Sequence, residues 1–322
     1  MPGVAEANRP AVLILASKFD LSCDYVVRQL RVARIPYLRL NSEDFPDLAI
    51  SLDPASCRLT IARQDRVYII EPDSLRSVLY RRGAYLRESA PARSTHDLFV
   101  RPQWSAFLRA LMVYEQCRWI NHPGATYRAE TKPLQLATAA RMGFAVPTTI
   151  ITNSVDAVMA ARQELGETVA VKPLEVLSIE GSGWQTFGFT SLLEMSDLGH
   201  ASLDDAPTIV QRGLMKKTDV RVTVVGEEVF GAEILADGSP IYGDWRLRKG
   251  DARASALALP ESVAQRCVEL VRTFGLSFGA IDLAIESGEY YFLELNPTGE
   301  WAWLVDEAGL AVDEAIGALL AS

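Results

Sequence analysis

The stretch FGLSFGAIDLAIESGEYYFLELNPTGEW, from Phe274 to Trp301, decides how this chain folds. Its two halves, GAIDLAI and YYFLELN, are rich in β-branched and aromatic residues with Ser287-Gly288 between them, so the pattern predicts two strands joined by a tight turn. Asp282 falls on the first strand. Glu294 and Asn296 fall on the second, two residues apart, and the pleat sends both side chains to the same face. Carboxylate and amide oxygens gathered without His or Cys suit a hard cation that keeps waters and shares itself with phosphates, which makes Mg²⁺ the natural candidate. A solvent-facing strand explains any one of these acids taken alone. It explains the set less well, because Phe292, Leu293 and Leu295 surround Glu294 with apolar neighbours and an unpaired charge there would be costly. The Asn296-Pro297-Thr298-Gly299 turn then stops the strand.

Around this hairpin lies a chain of 322 residues, 49% of them hydrophobic, long enough for two or three compact units and a large core. No run reaches the apolar length of a membrane span, and MPGVAEANRP lacks the charged-then-apolar pattern of a signal peptide, so a cytoplasmic protein is expected, with no membrane partner. Cys23, Cys57, Cys117 and Cys267 are far apart and form no CxxC pair, which predicts buried thiols and neither a zinc site nor a disulfide framework. A formal net charge of −9 argues against a nucleic-acid partner. Local basic strips remain at Lys216-Lys217 and at Arg246-Leu247-Arg248-Lys249, each suited to a specific anion.

The first segment, AVLILAS, DYVVRQLRVARI and PYLRLN, reads as strand, amphipathic helix and strand, the opening of an α/β unit. Neither GxGxxG nor GxxxxGK[ST] occurs anywhere, which removes the usual support for Rossmann or P-loop nucleotide binding. Three short strands, AISLD, RLTIAR and RVYII, are followed by SVLYRRGAYLR. Its Tyr80-Arg81-Arg82 reads as a solvated strand end, with a substrate-facing basic edge as the alternative. A helix from Ala92 to Cys117 presents Phe99, Trp104, Phe107, Leu108 and Leu111 as a core stripe.

Asn121-His122-Pro123-Gly124 breaks that helix and begins a new unit, whose helix runs from Ala129 to Met142. Ser154 caps the next helix, and the strand TVAVKPLEV follows. SIEGSGWQTFG, residues 178–188, is glycine-rich enough for Gly181 and Gly183 to bring backbone N–H groups to phosphates, although a plain hairpin loop fits equally well. Lys172 ends a strand, an unusual place for a lysine without an anionic partner, and Lys132 stands at the head of an apolar helix. Both could reach phosphates; surface lysines that snorkel are the alternative. Asp219, Arg221 and Thr223 alternate along one face of DVRVTVV, where a cross-strand ion pair is the simpler use. In GDWR, Asp244 is a candidate base for a hydroxyl proton or a structural partner of Arg246.

Taken in order, lysine before a helix, lysine after a strand, glycine loop, Gln-x-x-Leu link, Asp-x-Arg strand, then Asp and Glu-x-Asn, the motifs resemble an ATP-grasp ligase from about Asn121 onward. The resemblance implies an α/β and α+β protein: an N-terminal α/β (pre-ATP-grasp) domain over residues 1–120, a central lobe with lid over 121–206, and a C-terminal lobe over 207–322. It implies that Lys132 and Lys172 contact ATP phosphates, that the Gln211 to Leu214 backbone meets adenine, and that Asp219 meets the ribose. It also implies that Asp282, Glu294 and Asn296 ligate Mg²⁺ and that Arg221 faces the transferred phosphate. One departure is that Arg212 stands where the link commonly carries Glu. LYRRG, WINHP, AETKPLQLATAARMGFAVPTTIITN, KKTDVRVTVVG, GDWR and FLELNPTGEW are most similar to the maturases of graspetides such as microviridins. That resemblance implies ATP-dependent macrocyclisation of a ribosomal precursor peptide with a leader and a core containing Thr, Ser or Lys and Asp or Glu. Carboxylates would be activated as acyl phosphates cradled by Arg221 and Arg246, then joined to hydroxyls or amines. A ligase adding amino acids to a protein tail or small molecule is the near alternative, and a non-catalytic ATP-binding regulator the distant one; a homodimer is left open.

Overall fold

A computed structural model describes residues 8–81, 94–175, 178–181, 184–187, 190–200, 203–248 and 250–322. The chain opens with β1 (Val12–Ala16), α1 (Ser22–Val32), β2 (Tyr37–Asn41), β3 (Ala49–Asp53), β4 (Arg58–Arg63), β5 (Arg66–Ile70), β6 (Ser77–Tyr80), α2 (Thr95–Ala110) and β7 (Arg118–Ile120). Strands β2, β1, β6 and β7 form a parallel sheet in that order, as the apolar run VLILA demands of a strand covered on both faces. A separate antiparallel sheet holds β3, β4 and β5.

Next come α3 (Pro123–Ala129), α4 (Lys132–Arg141), β8 (Thr149–Thr152), α5 (Val155–Ala160), α6 (Arg162–Leu165) and β9 (Thr168–Lys172). Asn121-His122-Pro123-Gly124 therefore starts a helix: Pro123 takes the first helical position, where its missing N–H is harmless, and the His122 side chain accepts from Gly124 N. The expected helix from Ala129 to Met142 is the second of two, and Lys132 is its first residue. Ser154 caps α5 as expected, its Oγ accepting from Ala157 N at 3.2 Å. The hairpin β10 (Ser178–Gly181) and β11 (Trp184–Phe187) precedes β12 (Ser191–Glu194) and β13 (Thr208–Arg212), and β12, β9, β13 and β8 make an antiparallel sheet in that order.

The remaining elements are β14 (Thr218–Val225), β15 (Glu228–Ala236), β16 (Ala252–Ala256), α7 (Glu261–Thr273), β17 (Phe278–Glu286), β18 (Glu289–Asn296), α8 (Ala302–Ala308) and α9 (Val312–Ala321). The sheet order is β16, β15, β14, β17, β18, all antiparallel. Ser287 and Gly288, at φ 53° and 84°, turn the last hairpin with positive φ at both central positions, the conformation whose twist matches paired strands.

Packing crosses the boundaries drawn from sequence at 121 and 207. Strand β13 pairs within the central sheet, whereas Ala129, Ala139 and Phe144 join Val220, Val222, Ile281 and Phe292 in the core under the C-terminal sheet. A second core brings Val12, Ile14 and Leu30 of the first unit against Phe278, Trp301 and Ile316 of the last. Asp313 of α9 fastens that joint by accepting from Arg28 Nη2 at 2.9 Å and Gln29 Nε2 at 2.7 Å. The four cysteines are free thiols, with Cys23 and Cys267 buried and Cys57 and Cys117 part-exposed. Among the described residues no helix is long and apolar enough to cross a membrane.

Phe292 is fully buried on β18, its ring 5.8 Å from that of Phe144. Phe292→Ala is expected to cost about 3–5 kcal/mol in chemical denaturation, and Phe292→Leu clearly less, because a smaller cavity is left beneath the strand that carries Glu294.

Candidate active site

Asp282 and Glu294 are direct cross-strand partners, and Asn296 lies opposite Ala280 two residues farther along β18. Their side chains share one face, since Asn296 Nδ2 donates to Glu294 Oε1 at 2.8 Å. The register shifts between Asp282 and Leu283, where Leu283 pairs with Phe292 and Leu293 is the extra residue. This bulge keeps Phe292 in the core while Glu294 still faces Asp282.

Behind the strand, two buried amides fix its backbone. Gln135 of α4 accepts from Leu295 N at 2.8 Å and donates to Leu295 O at 2.7 Å. Asn121 donates to Pro297 O and Phe278 O, each at 2.8 Å, and accepts from Phe278 N at 3.0 Å, so one side chain holds both strands of the hairpin. Neither residue stood out in the sequence, although WINHP and AETKPLQLATAA contain them.

Cations from four other segments converge on the carboxylates. Arg221, paired in register with Asp282, brings Nε to 3.1 Å from Asp282 Oδ1. Arg246 Nη2 spans Asp282 Oδ2 at 2.5 Å and Glu294 Oε1 at 3.3 Å. The Asp282 charge, with Glu294 and Asp244 beside it, pushes the Arg246 guanidinium up against the effect of burial. Burial opposes ionisation of Glu294, yet Arg246, Lys132, the Asn296 amide and Lys172 hold its carboxyl below the usual carboxylate range. Burial, together with nearby Lys132, pulls the Lys172 ammonium down, with Glu294 acting the other way.

These residues border two adjoining cavities. The first, of 360 Å³, is lined by Lys172, Gln211, Leu214, Asp219, Asp244 and Asp282; the second, of 330 Å³, by Arg221, Asn296, Thr298 and Glu300. Lys132, Arg246 and Glu294 line both. In the first, Lys132 Nζ donates to Pro173 O and Lys172 Nζ to Gln211 Oε1, each at 2.9 Å, which places both ammonium groups at the cleft wall. Asp219 sits beside Lys217; burial raises its carboxyl to about 6, with Lys217 opposing and Asp282 and Asp244 adding to the rise. In the second, Arg221 Nη1 is buried with no hydrogen-bond partner, while Nε of the same guanidinium is taken up by its ion pair with Asp282. A buried guanidinium with an unfilled donor is a ready receptor for an anion.

Several expectations take a definite place here. Asp244 accepts from Arg246 N at 3.0 Å and Nη1 at 3.4 Å, and from Thr190 N at 3.4 Å, which pairs it with the arginine. The basic strips face acids of the chain: Lys217 meets Asp219, and Arg246 the carboxylates, while Lys249 lies outside the described residues. Gly181 ends β10, and Gly183 lies outside the described residues. Arg212, the departure in the link, pairs with Glu286 at 3.1 Å and stacks on Tyr291 at 5.2 Å. Arg81 is not a solvated strand end: its side chain is 4% exposed and ion-paired to Asp20 and Glu300.

Among the described residues no group of three or more His, Cys, Asp or Glu side chains is arranged to hold a metal alone. The donor set fits a divalent cation shared with phosphates: two carboxylates and an amide supply hard oxygens, too few to cage an ion without other ligands. Arg246 now satisfies the same two carboxylates.

No family model matches the sequence, and no curated protein matches it significantly. Solved structures do match over nearly the whole chain. Macrocyclase MdnC of Microcystis aeruginosa MRC, bound with precursor peptide MdnA, is similar at a TM-score of 0.80 and 24% identity over 96% of this chain and 98% of that one. A Chryseobacterium gregarium RiPP-associated ATP-grasp ligase in complex with ADP and a leader and core peptide gives 0.82 and 24% over 97% and 96%. ATP-grasp ligase PsnB complexed with minimal precursor, Mg and ADP gives 0.76 and 23% over 99% and 98%. The parallel first sheet, the central sheet and the hairpin-ended C-terminal sheet thus make up an ATP-grasp fold, shared over nearly the whole chain with these structures.

Proposed function

We propose that this protein is an ADP-forming ligase that macrocyclises a ribosomally made precursor peptide. Side-chain carboxylates of Asp or Glu are activated by ATP as acyl phosphates and joined to Ser or Thr hydroxyls, or to Lys amines, of the same peptide. The observation that carries this reading is the junction of the two cavities at Lys132, Arg246 and Glu294, with the unpartnered Nη1 of Arg221 on the far side. The first cavity is assigned to a nucleoside triphosphate and the second to the acceptor carboxylate, which would meet Lys132, Arg221 and Arg246 there. The likeness to ligases bound with ADP, Mg and precursor peptides supports the same assignment.

A carboxylate at neutral pH is a poor electrophile, and transfer of the γ-phosphoryl group gives it a leaving group. Lys132 and Lys172 neutralise charge on the nucleotide phosphates, Asp219 accepts from the ribose, and the Gln211 to Leu214 backbone borders the adenine. Asp282, Glu294 and Asn296 would hold Mg²⁺, which when bound withdraws charge from the moving phosphoryl group. Arg221 and Arg246 hold the acceptor carboxylate and then its acyl phosphate, with Asp244 orienting Arg246. On attack by a hydroxyl or amine, the new ester or amide C–O or C–N bond forms as the C–O bond to phosphate breaks, and the departing inorganic phosphate carries off the proton the nucleophile loses. The cytoplasm is the proposed location, because ATP is held there.

Glu294→Gln is expected to abolish peptide-dependent phosphate release, and near-normal turnover would remove Glu294 from the site. Arg221→Lys is expected to lower peptide modification about 10²–10³-fold, as loss of a transition-state hydrogen-bond donor does elsewhere, with ATP binding little changed. Mass spectrometry of precursor peptide incubated with enzyme, ATP and Mg²⁺ reads the reaction directly, as losses of water; amino-acid additions would favour the tail-adding ligase, and an unchanged peptide with no ATP consumed the regulator.

Folding raises the Asp219 carboxyl to about 6, so the proton it holds stabilises the fold fully below the unfolded value near 4 and ceases to do so as pH rises through 6. Only the ionised group is a full acceptor for the ribose. Nucleotide affinity of the native protein is therefore expected to gain between pH 5 and 7 relative to Asp219→Asn, and the difference between their titration curves locates the inflection.

A further inference from the structure

The turn after the strand that carries Glu294 and Asn296 has a third tie, from the first sheet of the chain. Arg81, directly after β6, turns inward: Nε donates to Asp20 Oδ2 at 3.0 Å, Nη1 to Gly299 O at 3.2 Å and Nη2 to Glu300 Oε1 at 3.0 Å. Ser22 Oγ holds the other oxygen of Glu300 at 2.8 Å. With Gln135 on Leu295 and Asn121 on Pro297, the backbone is gripped at every second residue from 295 to 299, by side chains from three separate segments. Glu294, Asn296 and Thr298 lie between the grips.

Gly299, which takes the last of these grips, leaves no room for a side chain. A Cβ at that position would stand 2.5 Å from Ala280 Cβ, 3.2 Å from Asn296 Cβ and 3.3 Å from Arg221 Nη1. Lacking a side chain, the Gly299 backbone lies directly beside Asn296 and Arg221, a metal donor and an anion donor of the proposed site, so a shift of this backbone toward them presses on both. The tie is not needed to hold the two ends of the chain together, since Asp313 with Arg28 and Gln29, and Ser77 Oγ with Leu320 O at 2.8 Å, span the same joint.

We propose that Arg81 is a positioning residue of the ligase reaction: by fixing the Gly299 carbonyl and Glu300, it aims Asn296 and Arg221 at the metal and the acyl phosphate. This rests on the ATP-dependent ligase reading. A lysine at 81 keeps the charge for Asp20 but loses the fork that reaches Gly299 and Glu300 together.

The experiment measures Mn²⁺ affinity by electron paramagnetic resonance with ADP present, beside ADP affinity without metal and the melting temperature. Arg81→Lys is expected to weaken Mn²⁺ about tenfold, the lower end of what loss of a residue supporting a metal ligand costs, with ADP affinity and melting near native. Glu300→Gln, which leaves Asp20 paired and lies at a side chain 65% exposed, shifts Mn²⁺ in the same direction by a smaller factor. Asp313→Asn, which loosens the same joint elsewhere, leaves Mn²⁺ affinity unchanged. Native Mn²⁺ affinity in both Arg81→Lys and Glu300→Gln overturns the proposal, as does a loss of ADP affinity and melting temperature in step with that of Mn²⁺. A native protein that binds no ADP overturns the ligase reading itself and this role with it, an outcome visible before any variant is made.

Discussion

Two carboxylates, Asp282 and Glu294, face each other directly across antiparallel strands whose far side is packed with Phe292, Leu295 and Ile281. At the ~5 Å usual for directly paired side chains and an effective dielectric of ~20, their repulsion is on the order of 3 kcal/mol. A protein of ordinary stability cannot leave that uncompensated. Most of the site is the compensation. Arg221 arrives from β14, Arg246 from the loop before β16, Lys132 from the head of α4 and Lys172 from the end of β9, so four separate segments converge on one charge imbalance.

This placement has a chemical consequence. On the proposed reaction, the groups that make two neighbouring carboxylates tolerable are the groups that a triphosphate and an activated carboxylate would require, and ligand binding would redistribute cations that are already desolvated and aimed. Arg246 shows the exchange most plainly, because its guanidinium bridges the oxygens a divalent cation would ligate, while Asp244 secures its backbone and Nη1. Little reorganisation would be left for the moment of that reaction. Arg221 contributes differently, as its buried Nη1 has no partner to give up.

The hairpin was legible because everything that makes it is local: β-branched and aromatic runs, a Ser-Gly turn with both φ values positive, and acids at spacing two. The order of motifs along the chain carried the fold. The bulge at Leu293 was not legible, since a register shift belongs to a pair of strands and leaves no trace in either alone. Arg81, Asn121 and Gln135 escaped for a related reason. Their partners lie 218, 176 and 160 residues away, and a buried guanidinium at a strand end looks in sequence like a solvated one. The helix inferred from Ala129 divides at Thr131, where Pro133 favours a new first turn over continuation of the old one.

Arg212 illustrates how a departure at one motif is absorbed by the rest of the structure. An arginine beside Gln211, where an acid is common, would add a fifth cation to a cleft already bordered by Lys132, Lys172, Lys217 and Arg246. Glu286, at the turn end of β17, takes one side of it, and the Tyr291 ring on β18 supplies a face for it to stack on. Both partners belong to the same hairpin that carries Asp282 and Glu294. The link between the lobes is thereby tied to the hairpin, and the backbone of Gln211 to Leu214 keeps its place at the cleft wall, with Gly213 N donating to Thr168 O at 3.0 Å. A Cβ at Gly213 would come within 2.8 Å of that same carbonyl oxygen, so the close approach of link to strand is set by a glycine, and the identity of residue 212 matters less than the spacing around it.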